Sequence, residues 1–226
     1  MAEMYAVKKS DLTAIADAIR LKRDIVSDIE VEDMATQIGL IDSGGDDDLK
    51  ALISRSIWGA FEIPSGVQRI GVSAFNYCTG LSSITIPNSV TSIENNAFYN
   101  CTSLSSISIP NSITVIRNGA FQNCTGLTSV IIPGNVTVLN DSVFQNCTGL
   151  TSATFGSGVQ KIGSAVFQGC SRLATVNLPS TITNIGGNTF KNINANAVIN
   201  CGFAQGAVSG APWGAPSTAT INYNVS

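Results

Sequence analysis

The chain has 226 residues, enough for one large domain or a domain with a small appendage. Hydrophobic residues make up 44%, charged residues only 12%, and the net charge is −3, so a sizeable core must be covered by side chains that are polar without being charged. The absence of a basic run argues against nucleic-acid binding, no apolar stretch of about 18 residues offers a membrane span, and the start MAEMYAVKKSDLT lacks the apolar run of a secretory signal.

Residues 1–42 hold most of the charge. Leu12, Ile15, Ala16 and Ile19 fall on one stripe of a helix that begins near Ser10, and Met34, Ile38 and Ile41 predict a second, shorter helix. Two helices exceed what a cap requires, so 1–42 reads as a helical attachment segment. Residues 43–62, opening on Ser43-Gly44-Gly45-Asp46-Asp47-Asp48, read as a linker and N-terminal cap.

From 63 to 201 the chain repeats. Phe75, Phe98, Phe121, Phe144, Phe167 and Phe190 are spaced by 23, and Cys78, Cys101, Cys124, Cys147 and Cys170 keep the same interval. Ile70, Ile93, Ile116, Leu139, Ile162 and Ile185 form a further column, as do Leu81, Leu104, Leu127, Leu150 and Leu173. Proline recurs at Pro64, Pro87, Pro110, Pro133 and Pro179, with Gly156 in the vacant slot. Within a unit, Ile84 and Ile86 alternate with Thr85, the period of a half-buried strand. Pro87, lacking an amide, ends that strand. A second extended piece follows at Val90 and Ile93. Ala97, Phe98 and Cys101 then turn the chain back, as a short helical or 3₁₀ turn. One unit cannot bury its own apolar side, so copies must stack, roughly 4.8 Å apart, into one continuous core. The expected fold is an α/β-type solenoid of mostly short β-strands and turns, about six repeats long, with a helical N-terminal segment. Residues 202–226 read as the C-terminal cap.

Most candidate chemistry is weak. Histidine is absent, which removes Ser-His-Asp and Cys-His catalysis and the commonest zinc ligand; no metal or cofactor is expected. The cysteines occur once per turn in an apolar motif and read as reduced core thiols. Cys201 leaves their column for a strand position. Asn100, Asn123, Asn146 and Asn135 head N-x-T sequons but read as turn residues, and Gln122, Gln145 and Gln168 join the first three in amide ladders. Between Ile84 and Phe155 the only acids are Glu94 and Asp141, two turns apart, where a glycosidase needs two carboxylates facing one groove. Glu94 and Arg117 occupy equivalent places in adjacent turns and predict a surface ion pair.

The exposed strand positions remain. Ser83, Ser106, Ser129, Ser152 and Thr175 form one column; Thr85, Ser108, Ile131, Thr154 and Asn177 form the next. Short hydroxyls with little side-chain entropy make a flat surface that can hydrogen-bond saccharide hydroxyls or peptide amides. The same residues are also ordinary soluble strand formers, and both readings stand. Tyr77 and Tyr99, in adjacent turns near Asn76 and Asn100, form an aromatic pair suited either to stacking on sugar rings or to packing against the N-terminal region.

The run IPNSVTSIENNAFYNCTSLSSISIPNSITVIRNGAFQNCTGL resembles the BspA-type leucine-rich repeats of bacterial surface proteins and some bacteriophage tail proteins. The phrases DLTAIADAIRLKRD and GAVSGAPWGAPSTATINYN resemble the ends of phage and prophage tail-associated proteins. The resemblance implies a non-catalytic adhesin of a phage tail, made without a signal peptide. Residues 1–42 would tether it to tail or baseplate proteins, as a possible homotrimer, and the solenoid would bind a host-surface glycan or protein. A bacterial surface or interaction protein with the same repeats is the alternative, and a polysaccharide-cleaving tail enzyme a third.

Overall fold

The computed structural model describes residues 58–63 and 65–225. The helices expected within 1–42, and the expected linker up to Ile57, lie outside the described residues.

Each repeat makes one coil with three sides. The first side is a strand face: β1 (Trp58–Glu62), β3 (Gly80–Thr85), β5 (Ser106–Ile107), β7 (Ser129–Ile132), β9 (Ser152–Phe155), β11 (Thr175–Leu178), β13 (Val198–Cys201) and β14 (Thr220–Tyr223). The second side carries two-residue strands: β2 (Arg69–Ile70), β4 (Ser92–Ile93), β6 (Val115–Ile116), β8 (Val138–Leu139), β10 (Lys161–Ile162) and β12 (Asn184–Ile185). All neighbours pair in parallel. The second side forms one unbroken six-stranded sheet, while the first is split, β1-β3-β5 apart from β7-β9-β11-β13-β14. β1 and β14 belong to the segments read as caps, and both continue the strand ladder.

The third side is a turn face, and here the expected helical turn is replaced by another device. Among the described residues the chain forms strands and turns without a helix. Amides alternate between two destinations. Those of Ala74, Asn76 and Cys78 bond three residues back in the same coil, while those of Ser73, Phe75 and Tyr77 donate to carbonyls of the next coil at 3.0, 2.7 and 2.8 Å. A 3₁₀ turn keeps negative φ throughout, whereas two positions per turn here are left-handed. One column is Ser73, Asn96, Gly119, Ser142, Ala165 and Asn188; the other is Tyr77, Asn100, Asn123, Asn146, Gly169 and Asn192. Asparagine and glycine tolerate that region best, which accounts for the repeated Asn of the sequon-like triplets.

The core is built from the repeated columns. The six phenylalanines are fully buried and stack within 5° of parallel, their centroids 5.1 Å apart at Phe75–Phe98 and 6.0 Å at Phe167–Phe190. Edge-on rings close both ends: Phe61 against Phe75 at 63°, and Trp213 against Phe190 at 72°. Trp213 stands one repeat beyond Phe190 and is itself buried. Thr189, in the column of Ala74 and Val166, is the one buried polar residue among those described; its hydroxyl serves the carbonyls of Gly163 and Gly186 at 2.9 and 2.7 Å.

Candidate functional site

On the strand face the spacing brings the first hydroxyl column together within each sheet and the second within the later sheet, whereas Thr85 pairs with Glu62 and not with Ser108. Ser83 pairs with Ser106; Ser129, Ser152 and Thr175 pair in series, as do Ile131, Thr154 and Asn177. Thr85, Ser106, Ser108, Ser129, Ile131, Thr154 and Asn177 are exposed, while Ser83, Ser152 and Thr175 are half-buried. Ile131 is 68% exposed, the largest apolar projection on this face. The break between β5 and β7 divides the surface, with Ser108 just past the end of β5.

The columns also run further than the sequence reading took them. Asn177 is followed by Asn200 and then Asn222, paired in register. Their side chains form a ladder: Asn200 Nδ2 donates to Asn177 Oδ1, and Asn222 Nδ2 to Asn200 Oδ1, each at 2.9 Å. Asn177 and Asn200 share the repeat interval, but Asn222 falls one residue short of it, which hid the third rung.

On the turn face, Gln122 Nε2 donates to Gln145 Oε1 at 3.0 Å and Gln145 Nε2 to Gln168 Oε1 at 3.2 Å. Asn146 Nδ2 donates to Asn123 Oδ1 at 3.1 Å. Asn100, expected in that ladder, stays outside it. Tyr77 and Tyr99 meet edge to face, their centroids 5.4 Å apart at 65°.

The acids and thiols are engaged structurally. Glu94 pairs with Arg117 Nε at 3.0 Å and accepts from the Ser92 hydroxyl, and Asp141 Oδ1 accepts the Ser164 amide at 2.7 Å. Among the described residues these two acids form no convergent carboxylate pair. All six cysteines are buried and unbridged. Burial first, then neighbouring thiols, pushes Cys101 and Cys147 well above the ordinary thiol range. Among the described residues no cluster of three or more His, Cys, Asp or Glu is placed to hold a metal ion, and no helix is long and apolar enough to cross a membrane.

Parallel strands on two sides, a turn face on the third and a single column-built core define a leucine-rich repeat solenoid. Residues 56–172 and 139–201 match the family described as BspA type leucine rich repeat region, in six copies. The chain belongs to that family. Among solved structures it is similar to the T. pallidum leucine rich repeat protein TpLRR at 27% identity, covering 70% of this chain and 78% of that one, with a TM-score of 0.58. A leucine-rich repeat protein from Eubacterium ventriosum is also 27% identical over 74% of this chain and 43% of its own length, with a TM-score of 0.57. The pneumococcal vaccine antigen PcpA shares the fold at 16% identity and a TM-score of 0.54, over 76% of this chain and 43% of that one. No curated protein matches the sequence significantly.

Proposed function

We infer that the solenoid is a non-catalytic docking module of a bacterial surface or interaction protein, holding a host-surface glycan or protein against its strand face. The observation that carries this reading is the set of exposed and half-buried short hydroxyls and amides, from Thr85 to the Asn177–Asn200–Asn222 ladder. Such groups are fixed by the strands, so ordering them on binding costs little. Of the acids among the described residues only Glu62, beside Thr85 in the ladder, lies on this face, and Glu94 and Asp141 already hold structural partners elsewhere, which favours docking over hydrolysis. The relatives named above are bacterial proteins, and this favours a bacterial surface over the phage tail suggested by the end segments. Several copies on one surface would add avidity to weak individual contacts.

The test is binding of the full chain to host cells and to immobilised host glycans, repeated with Thr85→Arg and Thr154→Arg together. The two arginines stand on either side of the ladder break. Loss of binding by a variant that melts like the parent supports the strand face. Undiminished binding removes that face from consideration.

A further inference from the structure

On the turn face, two columns keep their type through the middle of the solenoid. One reads Gln122, Gln145, Gln168; the other reads Asn100, Asn123, Asn146. Gln122, Gln145 and Gln168, and separately Asn123 and Asn146, close on one another through hydrogen bonds of 3.0 to 3.2 Å. In the first two described turns the glutamine column is replaced by Asn76 and Tyr99, and in the first the asparagine column is replaced by Tyr77. Tyr99 stands one repeat before Gln122, and Tyr77 one repeat before Asn100, while Asn76 stands one repeat before Tyr99. The result is a block of four: Asn76 and Tyr77 in one coil, Tyr99 and Asn100 in the next.

The tyrosines occupy one diagonal of this block and touch. The amides occupy the other, and their hydrogen-bonding capacity is unused. Asn76 Oδ1 is buried without a partner, a condition that ordinarily costs stability, and the Asn100 side chain makes no hydrogen bond among the described residues. Tyr77 adds a second cost. It holds φ at +59° in a column whose other members are asparagine or glycine, and a bulky side chain is strained there. It is nonetheless 46% exposed, so packing does not repay the strain. Repeat interfaces need only the consensus residues to stack. Two adjacent departures, Asn76 and Tyr77, that each cost stability and that meet a second tyrosine at one spot therefore point to a ligand.

We propose that Asn76, Tyr77, Tyr99 and Asn100 form a binding site for a neutral saccharide. Two ring faces set at an angle offer apolar contact to the C–H face of a pyranose. The partly exposed Asn100 amide, with its side-chain oxygen and nitrogen both unused, supplies an acceptor and a donor for its hydroxyls. The turns from Gly71 to Cys78 and from Glu94 to Cys101 contain one charged side chain, Glu94, and it is held by Arg117. An anionic or cationic ligand thus finds no counter-charge. The site lies on a different face from the hydroxyl columns and stands without them.

The test uses an array of neutral hexose and N-acetylhexosamine oligomers beside sulfated and sialylated ones, with proline-rich peptides as a second aromatic-stacking class. The decisive variant is Tyr77→Asn with Tyr99→Gln, which installs the residues of the middle coils. It should melt no lower than the parent, because the strain at Tyr77 is relieved. Its apparent affinity for neutral oligomers should fall about tenfold or more. Equal binding by the tyrosine variant, preference for charged glycans or proline-rich peptides, or no saccharide binding by the parent would each overturn the proposal.

Discussion

The Phe98 carbonyl points inward and receives the Cys124 thiol of the next coil at 3.1 Å, together with the Cys101 amide at 3.2 Å. Cys101, Cys147 and Cys170 repeat the arrangement on Phe75, Phe121 and Phe144. The cysteine column therefore does more than fill space: it satisfies the second lone pair of a buried carbonyl. Cys124→Ala removes both volume and donor, and should destabilise by about 2 kcal/mol. Cys124→Ser keeps a donor and should cost less. Urea denaturation of both variants checks this, and a serine variant less stable than the alanine one would refute the hydrogen-bonding role.

Burial pushes the Cys201 thiol from an ordinary value of 9.0 up to about 11. The unfolded chain then loses that proton before the folded one does. Stability is complete below the ordinary value and is lost as pH rises through the folded value. With no histidine to titrate, melting temperature should stay level near neutrality and fall between about pH 9 and 11. Cys201→Ala should flatten part of that decline. Thermal melts at both ends of this range decide the matter; a parent protein equally stable throughout would contradict it.

Ala165 holds φ at +56° in the column shared with Asn96 and Gly119. A left-handed conformation costs an alanine about 1 kcal/mol, which glycine avoids. Ala165→Gly is expected to raise stability modestly, and Ala165→Val, branched at Cβ, to lower it by about 2 kcal/mol. Chemical denaturation of the pair reads the difference, and the opposite order would show that the site is governed by packing.

Gly158 and Gly187 make a sharper contrast. A Cβ on Gly158 would overlap the carbonyl oxygen of Gly134 in the preceding coil, whereas one on Gly187 would meet nothing within 4 Å. Gly158→Ala should cost about 1–3 kcal/mol or more through forced separation of two coils. Gly187→Ala should leave the melting temperature close to that of the parent. Equal behaviour of the two would mean that the coils near Gly134 yield readily.

The repeat was legible because a stacked coil must place the same side chain at the same depth each time, and phenylalanine at a fixed interval reports that depth. The ion pair of Glu94 and Arg117, the glutamine ladder and the unbridged thiols followed from the same columns. The turn face was harder to read. Its left-handed positions include Ser73, Tyr77 and Ala165, none of which announces that conformation, so alternating turns resembled a helical one. Trp213 continues the phenylalanine column under another residue type, and the hydroxyl columns gave no hint that pairing fails between β5 and β7. As a binding surface, the hydroxyl columns could be located from sequence but not distinguished from ordinary strand exteriors, since serine and threonine serve both.

The alternating bonds by which turn amides such as those of Ser73, Phe75 and Tyr77 reach another coil's carbonyls all run to the coil after, and at the far end the Phe190 amide meets the Trp213 carbonyl at 3.1 Å. Trp213 thus supplies the acceptor that a further repeat would otherwise provide, and its ring lies edge-on over Phe190; a chain shortened before it would leave that donor and the last phenylalanine of the column open to water.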